Sequence, residues 1–361
     1  MDRQKRLKLL SKLAFFECER NPNLERCLYE AKTRRGRIPI LKVLLSTYCE
    51  RNCDYCIFRR DREETPRVYI DPEDLARGFW EIHRRGKAEG LFLSSGIFIH
   101  PEITMEKMID TVKILREKYG YRGYVHLKIM PGVSLQTVEE AVRVADRVSI
   151  NIEAPTEERL KAIAKGKSLL EDIIPKMREV AKVLENFPGK DQTTQVIVGA
   201  GGETDREILK TSEFLYRNIG VRRVYYSPFR PVEGTPMENL PPCPRERERI
   251  LYRADFLIRD YGFTAEEVLG DRDFLEPGTD PKEAWARRNQ DLFPVEINKA
   301  DYEMLIKVPG VGKRTAREII RRRLKGAIRS PDDLKGIRNL RKILRYVTLM
   351  GRYYGEVKYT R

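Results

Sequence analysis

The sequence predicts an α/β protein whose centre is a partial, open (βα)6 barrel of TIM type, followed by an all-α C-terminal module. Short apolar runs rich in Val, Ile and Leu alternate with longer segments of helical periodicity, a pattern typical of parallel strands joined by crossover helices. Six such strands occur in roughly 200 residues, whereas a closed eight-stranded barrel takes about 250. The resulting open mouth suits a large substrate. Residues 296–361 carry a separate helical pattern that is strongly basic.

The predicted elements follow one another in regular order. The six strands are predicted at 39–47, 90–96, 123–130, 147–153, 193–199 and 221–227. Helices are predicted from Asp71-Pro72-Glu73 onward, because Pro is favoured in a first helical turn, and at 104–118, 134–145, 156–184, 204–216 and 245–261. We expect four segments: a helical and basic arm at 1–38, the barrel at 39–240, a helical connector at 241–295 and the basic module at 296–361.

Composition excludes several classes of protein. Charged residues make up 35% of the 361 residues, and no run approaches the roughly 18 apolar residues of a membrane-spanning helix. The N-terminal residues lack the apolar core of a secretory signal, and six cysteines do not form a disulfide framework in a chain of this length. We therefore expect a cytoplasmic protein without a membrane partner. The high Lys, Arg and Glu content also suggests a thermophile.

The excess positive charge is concentrated at one end of the chain. Residues 296–361 contain 18 Lys or Arg and 7 Asp or Glu, a net charge of +11, which leaves +4 for the first 295 residues. A basic block of this kind is typical of modules that bind nucleic-acid phosphates. The alternative is a solvated cationic face of a heat-adapted protein, and charge alone does not decide between them.

Three cysteines follow the first predicted strand at a spacing typical of a metal centre. Cys49, Cys53 and Cys56 have the spacing C-x3-C-x2-C. Three thiolates can bind three irons of a [4Fe-4S] cluster and leave the fourth iron open to a ligand, whereas closed electron-transfer clusters have four cysteines. The alternative, a structural zinc site, would need a fourth ligand, and no further Cys or His lies within ten positions to supply it.

This triplet, with Tyr55 just before the third cysteine, resembles the signature of the radical S-adenosylmethionine (SAM) superfamily. The resemblance implies a [4Fe-4S] cluster whose open iron is chelated by the amino and carboxylate groups of SAM. It further implies that one electron, from a donor such as a ferredoxin or flavodoxin, cleaves SAM to methionine and a 5′-deoxyadenosyl radical. The remaining cysteines, Cys18, Cys27 and Cys243, are expected to be buried structural thiols rather than ligands of a second cluster.

Several strand ends resemble the superfamily's cofactor contacts, and such contacts belong at the C-terminal ends of the strands. Ser94, Ser95 and Gly96 stand where the superfamily usually has Gly-Gly-Glu facing the cofactor amino group. Asn151 and Glu153 share one strand face by the period of two and resemble the ribose-contacting pair. Gly199 resembles a glycine that lets the backbone approach adenine, with a tight turn as the alternative.

Three further barrel residues are candidates for substrate contact or proton transfer. His126 and Lys128 alternate on the third predicted strand, and Tyr225 lies on the sixth. For each, a structural role in the barrel is the alternative interpretation.

The C-terminal module contains a glycine turn between two predicted helices. Asn298 is predicted to cap the first helix, which runs to 306, and the second ends in Arg321-Arg322-Arg323; a further helix is predicted from Ser330. The turn, with Gly310, Gly312, Lys313, Arg314 and Arg317 as candidate nucleic-acid contacts, resembles the helix-hairpin-helix motif, which binds the DNA backbone without reading sequence. A hairpin used only for packing is the alternative.

The two motifs in this order, together with residues 93–96, 225–227 and 293–298, resemble one family. These are radical SAM proteins of DNA modification or repair that are often encoded beside a uracil-DNA-glycosylase-like protein. The resemblance implies DNA as the partner, with a glycosylase-like protein as a further partner. Two alternatives stay open: a radical SAM enzyme that modifies RNA, and a non-catalytic nucleic-acid-binding protein with a structural metal.

Overall fold

The computed structural model describes residues 2–14, 28–33 and 36–355, and these form two compact units. Unit 1 comprises the described residues up to 203 together with 214–244, and unit 2 comprises 204–213 and the described residues from 245 onward. Cys18 and Cys27, which we expect to be structural thiols, lie outside the described residues.

Unit 1 is built on one seven-stranded sheet whose spatial order follows the chain. The strands are β1 Leu28–Thr33, β2 Gly36–Leu44, β3 Gly90–Ser94, β4 Tyr124–Lys128, β5 Arg147–Ser149, β6 Asp191–Val198 and β7 Arg223–Pro228. β1 pairs antiparallel with β2, and β2 to β7 are all parallel. The six parallel strands confirm the predicted partial (βα)6 barrel. The antiparallel strand β1 was not predicted.

The described residues form thirteen α-helices. They are α1 Arg3–Leu13, α2 Pro72–Arg84, α3 Pro101–Glu117, α4 Leu135–Val144, α5 Glu157–Ile163, α6 Ile174–Glu185, α7 Asp205–Phe214, α8 Arg245–Tyr261, α9 Ala265–Leu269, α10 Pro281–Arg288, α11 Tyr302–Lys307, α12 Lys313–Arg323 and α13 Leu340–Leu344. Asp71 caps α2 through its side chain, as the Asp-Pro-Glu sequence predicts.

The barrel strands are held by rows of buried aliphatic side chains. Leu41, Leu91 and Val125 lie in register on β2, β3 and β4, and each is at most 1% exposed. A buried side chain of this size contributes roughly 1.5–3 kcal/mol to folding. Because these rows fix the strand positions, they also fix the loops at the strands' C-terminal ends.

The single helix predicted over 156–184 is wrong, because the chain breaks there. α5 ends at Ile163, and helical structure resumes in a π-helical turn, Leu169–Ile173, that leads into α6. The Ser168 hydroxyl accepts a hydrogen bond from the Glu171 amide at 3.0 Å and so starts the new helix. The break presents Lys167 on a loop rather than on a helix.

Unit 2 contains its own apolar core and a small sheet. β8 Val295–Glu296, β9 Val347–Leu349 and β10 Arg352–Tyr353 form the sheet, with β8 parallel to β9. Buried residues such as Ile297, Leu305 and Ile343 form the core around it.

One of the two predicted helix starts in unit 2 is wrong, and the other is confirmed for a short helix. Asp301, not Asn298, caps α11, because the Asn298 side chain instead bonds both backbone groups of Ile328, at 2.8 and 2.9 Å. Ser330 caps the short 3-10 helix Pro331–Leu334, and Gly336, with φ +87°, follows one residue after its end.

Among the described residues, no helix combines the length and apolarity needed to cross a membrane.

Candidate active site

The three predicted cysteine ligands lie on the loop that follows β2, and Arg67 holds this loop in place. The Arg67 guanidinium donates hydrogen bonds of 2.6–3.1 Å to the backbone carbonyls of Thr47, Phe58, Arg59, Arg60 and Arg62. A planar group with several fixed donors can bond many carbonyls at once, which a lysine cannot do. Arg67 therefore shapes the cysteine loop, although nothing in its sequence position indicated this role.

A second set of contacts ties the cysteine loop to the loop after α5. The Asp54 amide donates to the Ile163 carbonyl at 2.8 Å, and Arg51 donates to the Gly166 carbonyl at 2.8 Å. The next residue, Lys167, is thereby placed beside the thiols of Cys53 and Cys56.

Cys49, Cys53 and Cys56 line one cavity of about 590 Å³ at the C-terminal ends of the parallel strands. The predicted residues Tyr55, Ser95, Gly96, Lys128, Asn151 and Glu153 line the same cavity. Residues far apart in the sequence are thus brought together at the barrel mouth, as the barrel topology predicts.

The end of β3 passes very close to the cysteine loop, and this explains Gly96. A Cβ at Gly96 would lie 2.2 Å from the Tyr48 carbonyl oxygen, a distance that only glycine avoids. The Gly96 amide donates to the Ser46 carbonyl at 2.8 Å, and the Glu50 amide donates to the Ile97 carbonyl at 2.7 Å. The Ser95-Gly96 segment therefore forms the cavity wall beside Cys49.

Glu153 and Lys167 form a buried ion pair inside the cavity, with 3.2 Å between Lys167 Nζ and Glu153 Oε1. The Tyr55 hydroxyl is hydrogen-bonded to the same carboxylate. Burial disfavours the charged form of Glu153, but Lys167 and Lys128 outweigh it and hold its pKa below the ordinary value. Burial likewise disfavours the Lys167 ammonium, but Cys53 and Glu153 outweigh it and raise its pKa. Both groups are therefore charged at neutral pH.

Glu153 also has an unusual backbone. Its φ is +61°, in the left-handed region that costs a non-glycine residue about 1–3 kcal/mol. Its amide donates to the Gln195 carbonyl at 3.0 Å, and its carbonyl accepts from the Ile197 amide at 2.7 Å. These bonds to β6 hold the strained residue, and such strain is concentrated at functional sites.

The cavity wall is strongly cationic. Lys12, Arg51, Arg62, Lys128, Lys167 and Arg230 line it, against the carboxylates of Glu153 and Glu233. A cleft with this excess of positive charge attracts anionic ligands such as phosphate esters.

Four predicted residues do not line this cavity. Ser94 is fully buried. His126 stacks on Phe92 with ring centroids 4.1 Å apart and contacts Ser149 Oγ through Nε2 at 2.9 Å. Burial lowers the pKa of His126 well below its ordinary value, so this imidazole is neutral. The structure places it in the barrel interior.

Tyr225 and Gly199 also lie outside the cavity lining. The Arg223 guanidinium lies over the Tyr225 ring, 5.0 Å from its centroid. Gly199 has φ +89°, and a Cβ there would lie 2.8 Å from the Cβ of Cys243. The glycine therefore makes room for Cys243.

The donor set fits an iron-sulfur cluster with one open iron. Within the described residues, no three His, Cys, Asp or Glu side chains gather around a point that would suit one metal ion. The three thiols line one cavity, and a multi-iron cluster uses such a set because each thiolate binds a different iron. The Phe58 amide also donates to Cys56 Sγ at 3.4 Å, a contact of the type that tunes cluster sulfurs.

In unit 2, the glycine turn lies between α11 and α12 as predicted. Gly310 has φ +88°, and Gly312 begins α12 without a side-chain cap. Arg314 and Arg317 are exposed on α12, whereas Lys313 is ion-paired with Asp260 at 3.2 Å. The turn thus offers two exposed guanidinium groups beside a helix N-terminus, where phosphates bind well.

The surface of this module is basic, although part of its charge serves the fold. Among residues 296–355, eleven Lys or Arg are exposed against four Asp or Glu. Arg323, from the predicted basic run, donates instead to the carbonyls of Ile297 and Ala300. Arg322 pairs with Glu318 at 2.8 Å.

Glu296 anchors the module's small sheet. Its carboxylate accepts hydrogen bonds from the Gly351 amide at 2.8 Å, the Asn298 amide at 3.1 Å and the Thr348 hydroxyl at 2.9 Å. Burial disfavours the carboxylate, but these bonds outweigh it and lower the pKa of Glu296 to about 2.

Two family models match the chain. The radical SAM superfamily matches residues 43–215, and the helix-hairpin-helix motif matches residues 293–343. Radical SAM homologues are enzymes, and the superfamily uses a [4Fe-4S] cluster and SAM.

Several known proteins are similar to part of this chain. The tRNA-2-methylthio-N(6)-dimethylallyladenosine synthase of Bacillus mycoides (strain KBAB4) is 25% identical over 245 residues, 64% of this chain and 45% of that protein. The 7,8-didemethyl-8-hydroxy-5-deazariboflavin synthase of Methanopyrus kandleri is 27% identical over 241 residues, 60% of this chain and 69% of that protein. This chain thus spans less than half the length of the Bacillus mycoides synthase. The crystal structure of methylornithine synthase aligns with a TM-score of 0.50 at 17% identity over 61% of each chain and shares the fold.

Proposed function

We propose that this chain, which carries a radical SAM domain and a helix-hairpin-helix motif, is an enzyme that modifies or repairs DNA by radical chemistry. The observation that carries the proposal is the convergence of three thiols, Asn151 and Glu153 on one cationic cavity. The cluster and SAM, when bound, supply a carbon-centred radical after a one-electron reduction that also releases methionine.

The chain's own residues would bind and orient these groups. Cys49, Cys53 and Cys56 would bind three irons. Asn151 and Glu153 would contact the cofactor ribose, since carboxylates and amides suit a diol. Ser95 and Gly96 lie on the wall beside Cys49 and would contact the cofactor amino group through backbone or hydroxyl oxygens.

The buried pair of Glu153 and Lys167 would fix the cavity's polar geometry. Lys167 keeps the Glu153 carboxylate charged in a buried site, and the Tyr55 hydroxyl orients the same carboxylate. A preorganised acceptor of this kind costs no rearrangement when the cofactor binds. Lys128 faces the same cavity and is the candidate for contact with substrate, whereas His126 and Tyr225 would act through the barrel interior.

Two features support a nucleic acid as the substrate. The cavity has six cationic side chains against two carboxylates, and the C-terminal module exposes eleven Lys or Arg against four Asp or Glu. Proteins gain nucleic-acid affinity by neutralising phosphates and releasing counterions. In duplex DNA the target nucleotide would first be extruded from the stack. The helix-hairpin-helix match favours DNA over other polyanions.

A second candidate function is RNA modification. One specific observation favours it, namely that the curated relative from Bacillus mycoides is a tRNA-modifying synthase by name. The basic module would then bind a structured RNA.

The test uses anaerobically reconstituted full-length chain with SAM and a one-electron reductant. Formation of 5′-deoxyadenosine is measured by mass spectrometry with duplex DNA, with tRNA or with neither, and Cys53→Ala is the matched control. Stimulation by DNA that exceeds stimulation by tRNA is the expected result. Stimulation by tRNA alone would replace the DNA proposal with the RNA one, and a colourless zinc protein indifferent to SAM would contradict both.

A further inference from the structure

Unit 2 contains a cleft that the hairpin's expected role does not use. It has a volume of about 610 Å³ and lies between one face of α8, the start of α10, the hairpin turn and residues 338–342. The hairpin turn itself, from Gly310 to Gly312, forms one wall. A ligand in the cleft would therefore contact the same turn that faces a phosphate backbone.

Aromatic side chains from α8 form a second wall. Tyr252 and Phe256 are four residues apart and so lie on one helix face, and Tyr261 ends the same helix. Phe256 is 43% exposed, and an edge-to-face contact with Tyr261, with centroids 5.1 Å apart, holds its ring in place. An exposed but fixed aromatic ring is a stacking platform with little conformational entropy to lose on binding.

The cleft is cationic as well as aromatic. Arg253, Arg338 and Lys342 line it, against the single carboxylate of Asp280. Burial lowers the pKa of Lys282, a fourth basic residue of the lining, to about 7, so this amine carries only part of a positive charge at neutral pH. Arg253 and Arg338 are exposed, and Lys342 is ion-paired with Glu283. Positive charge beside stacking rings is the combination that proteins use to bind unpaired nucleotides.

Lys282 joins the two walls. It is only 6% exposed, its Nζ donates to the Val311 carbonyl at 2.6 Å, and it lies over the Tyr261 ring at 4.8 Å from the centroid. This contact fixes the hairpin turn against the aromatic wall. The cleft is thus a built feature of the unit rather than a gap between loose loops.

We infer that this cleft binds one unpaired nucleotide of the nucleic acid held by the hairpin, with its base stacked against Phe256 and its phosphate beside Arg253 and Arg338. The inference rests on the proposed nucleic-acid function and deepens it. It assigns the module a preference for strands with an extrahelical or single-stranded nucleotide, whereas the hairpin alone binds any duplex backbone.

The experiment uses the full-length chain and two fluorescein-labelled duplexes of equal length. One is fully paired, and the other carries a single bulged 2-aminopurine, whose fluorescence falls when it stacks. Affinity is measured by anisotropy. We expect the wild type to bind the bulged duplex at least fivefold more tightly and to quench the 2-aminopurine.

Substitutions then locate the effect. Phe256→Ala is expected to weaken binding of the bulged duplex about tenfold, which is about 1.4 kcal/mol, and binding of the paired duplex less than twofold. Phe256→Trp keeps a stacking ring and should keep the preference. Phe274→Ala is the matched control, because Phe274 is 52% exposed in the same unit but lines a different cleft. Thermal melting checks that each variant is folded.

The inference fails if the wild type has equal affinity for both duplexes, if the 2-aminopurine is not quenched, or if Phe256→Ala loses affinity equally for both duplexes. The inference would also fail if polyglutamate displaced the bulged duplex but not the paired one. The cleft would then be assigned to an acidic peptide. If the wild type binds the paired duplex in a salt-sensitive way without preferring the bulge, only this inference fails; if it binds neither duplex nor tRNA, the proposed function fails as well.

Discussion

The buried pair of Glu153 and Lys167 is the part of the site whose energetics the structure defines best. Lys167→Met would leave the Glu153 carboxylate, 4% exposed, without its closest counter-charge. At 3.2 Å and an effective dielectric constant of about 20, the pair attracts by about 5 kcal/mol before desolvation. Removing one partner of a buried pair costs about 3–5 kcal/mol, because the other charge stays buried.

The double variant should recover much of this loss. Glu153→Gln with Lys167→Met removes both charges, and uncharged replacements of a buried pair are often close to neutral in stability. We therefore expect each single variant to lose about 3–5 kcal/mol and the double variant to lose clearly less than the sum, with a coupling energy of about 2–3 kcal/mol.

The assay is urea unfolding of the metal-free chain, followed by tryptophan fluorescence. The chain has two tryptophans, Trp80 in unit 1 and Trp285 in unit 2. In a Trp285→Phe background, Trp80 reports on the unit that holds the pair. Single-variant losses below about 1 kcal/mol, or additive losses in the double variant, would refute the reasoning, because the pair would then be solvated and uncoupled.

Three further predictions address the other parts of the account. Cys53→Ala should lower the iron content after anaerobic reconstitution from about four iron atoms per chain toward zero. The control Cys243→Ala should keep the iron content of the wild type. Equal iron in both variants would remove Cys53 from the ligand set. Glu296→Gln should destabilise unit 2 by about 1–2 kcal/mol at pH 7, after allowance for solvent screening. Because the pKa of Glu296 is lowered, its stabilising contribution is complete above about pH 4.5 and is lost as the pH falls toward 2. The unfolding free energies of wild type and variant, measured by urea unfolding, should therefore converge near pH 2. The double variant Arg314→Glu, Arg317→Glu should bind duplex DNA at least tenfold more weakly. It should also lower the magnitude of the slope of log affinity against log salt concentration by about two. An unchanged slope would place the phosphate contacts elsewhere.

The barrel was predictable because its signals are local and periodic. Each parallel strand reads as a short apolar run, and topology then brings Cys49, Asn151 and Glu153 to one mouth without further information. The unpredicted strand β1, by contrast, carries charged residues within Leu28–Thr33 and lacks an apolar run.

The missed site residues depend on long-range contacts. Arg67 and Lys167 are ordinary basic residues in the sequence, and their roles follow only from the carbonyls and carboxylate that the fold places around them. Gly166 and Ser168 flank Lys167, and the cap residue Ser168 and Pro175 inside a predicted helix were signals that the helix breaks there.

Some predicted residues have structural contacts in place of the expected ones. Period-two alternation puts His126 and Lys128 on one strand face, but His126 lies deeper in the barrel and stacks on Phe92, while Lys128 reaches the cavity. In unit 2, net charge alone could not separate Arg323, which bonds backbone carbonyls, from the exposed Arg314. Burial and depth along a strand are tertiary properties, which periodicity does not encode.

The most direct test of the central claim is electron paramagnetic resonance of the anaerobically reconstituted and reduced chain, with and without SAM. The account predicts the signal of a reduced four-iron cluster that changes when SAM is added, because the three thiols leave one iron open to the cofactor. A sample that contains zinc and no such signal, or a cluster signal that SAM leaves unchanged, would contradict it.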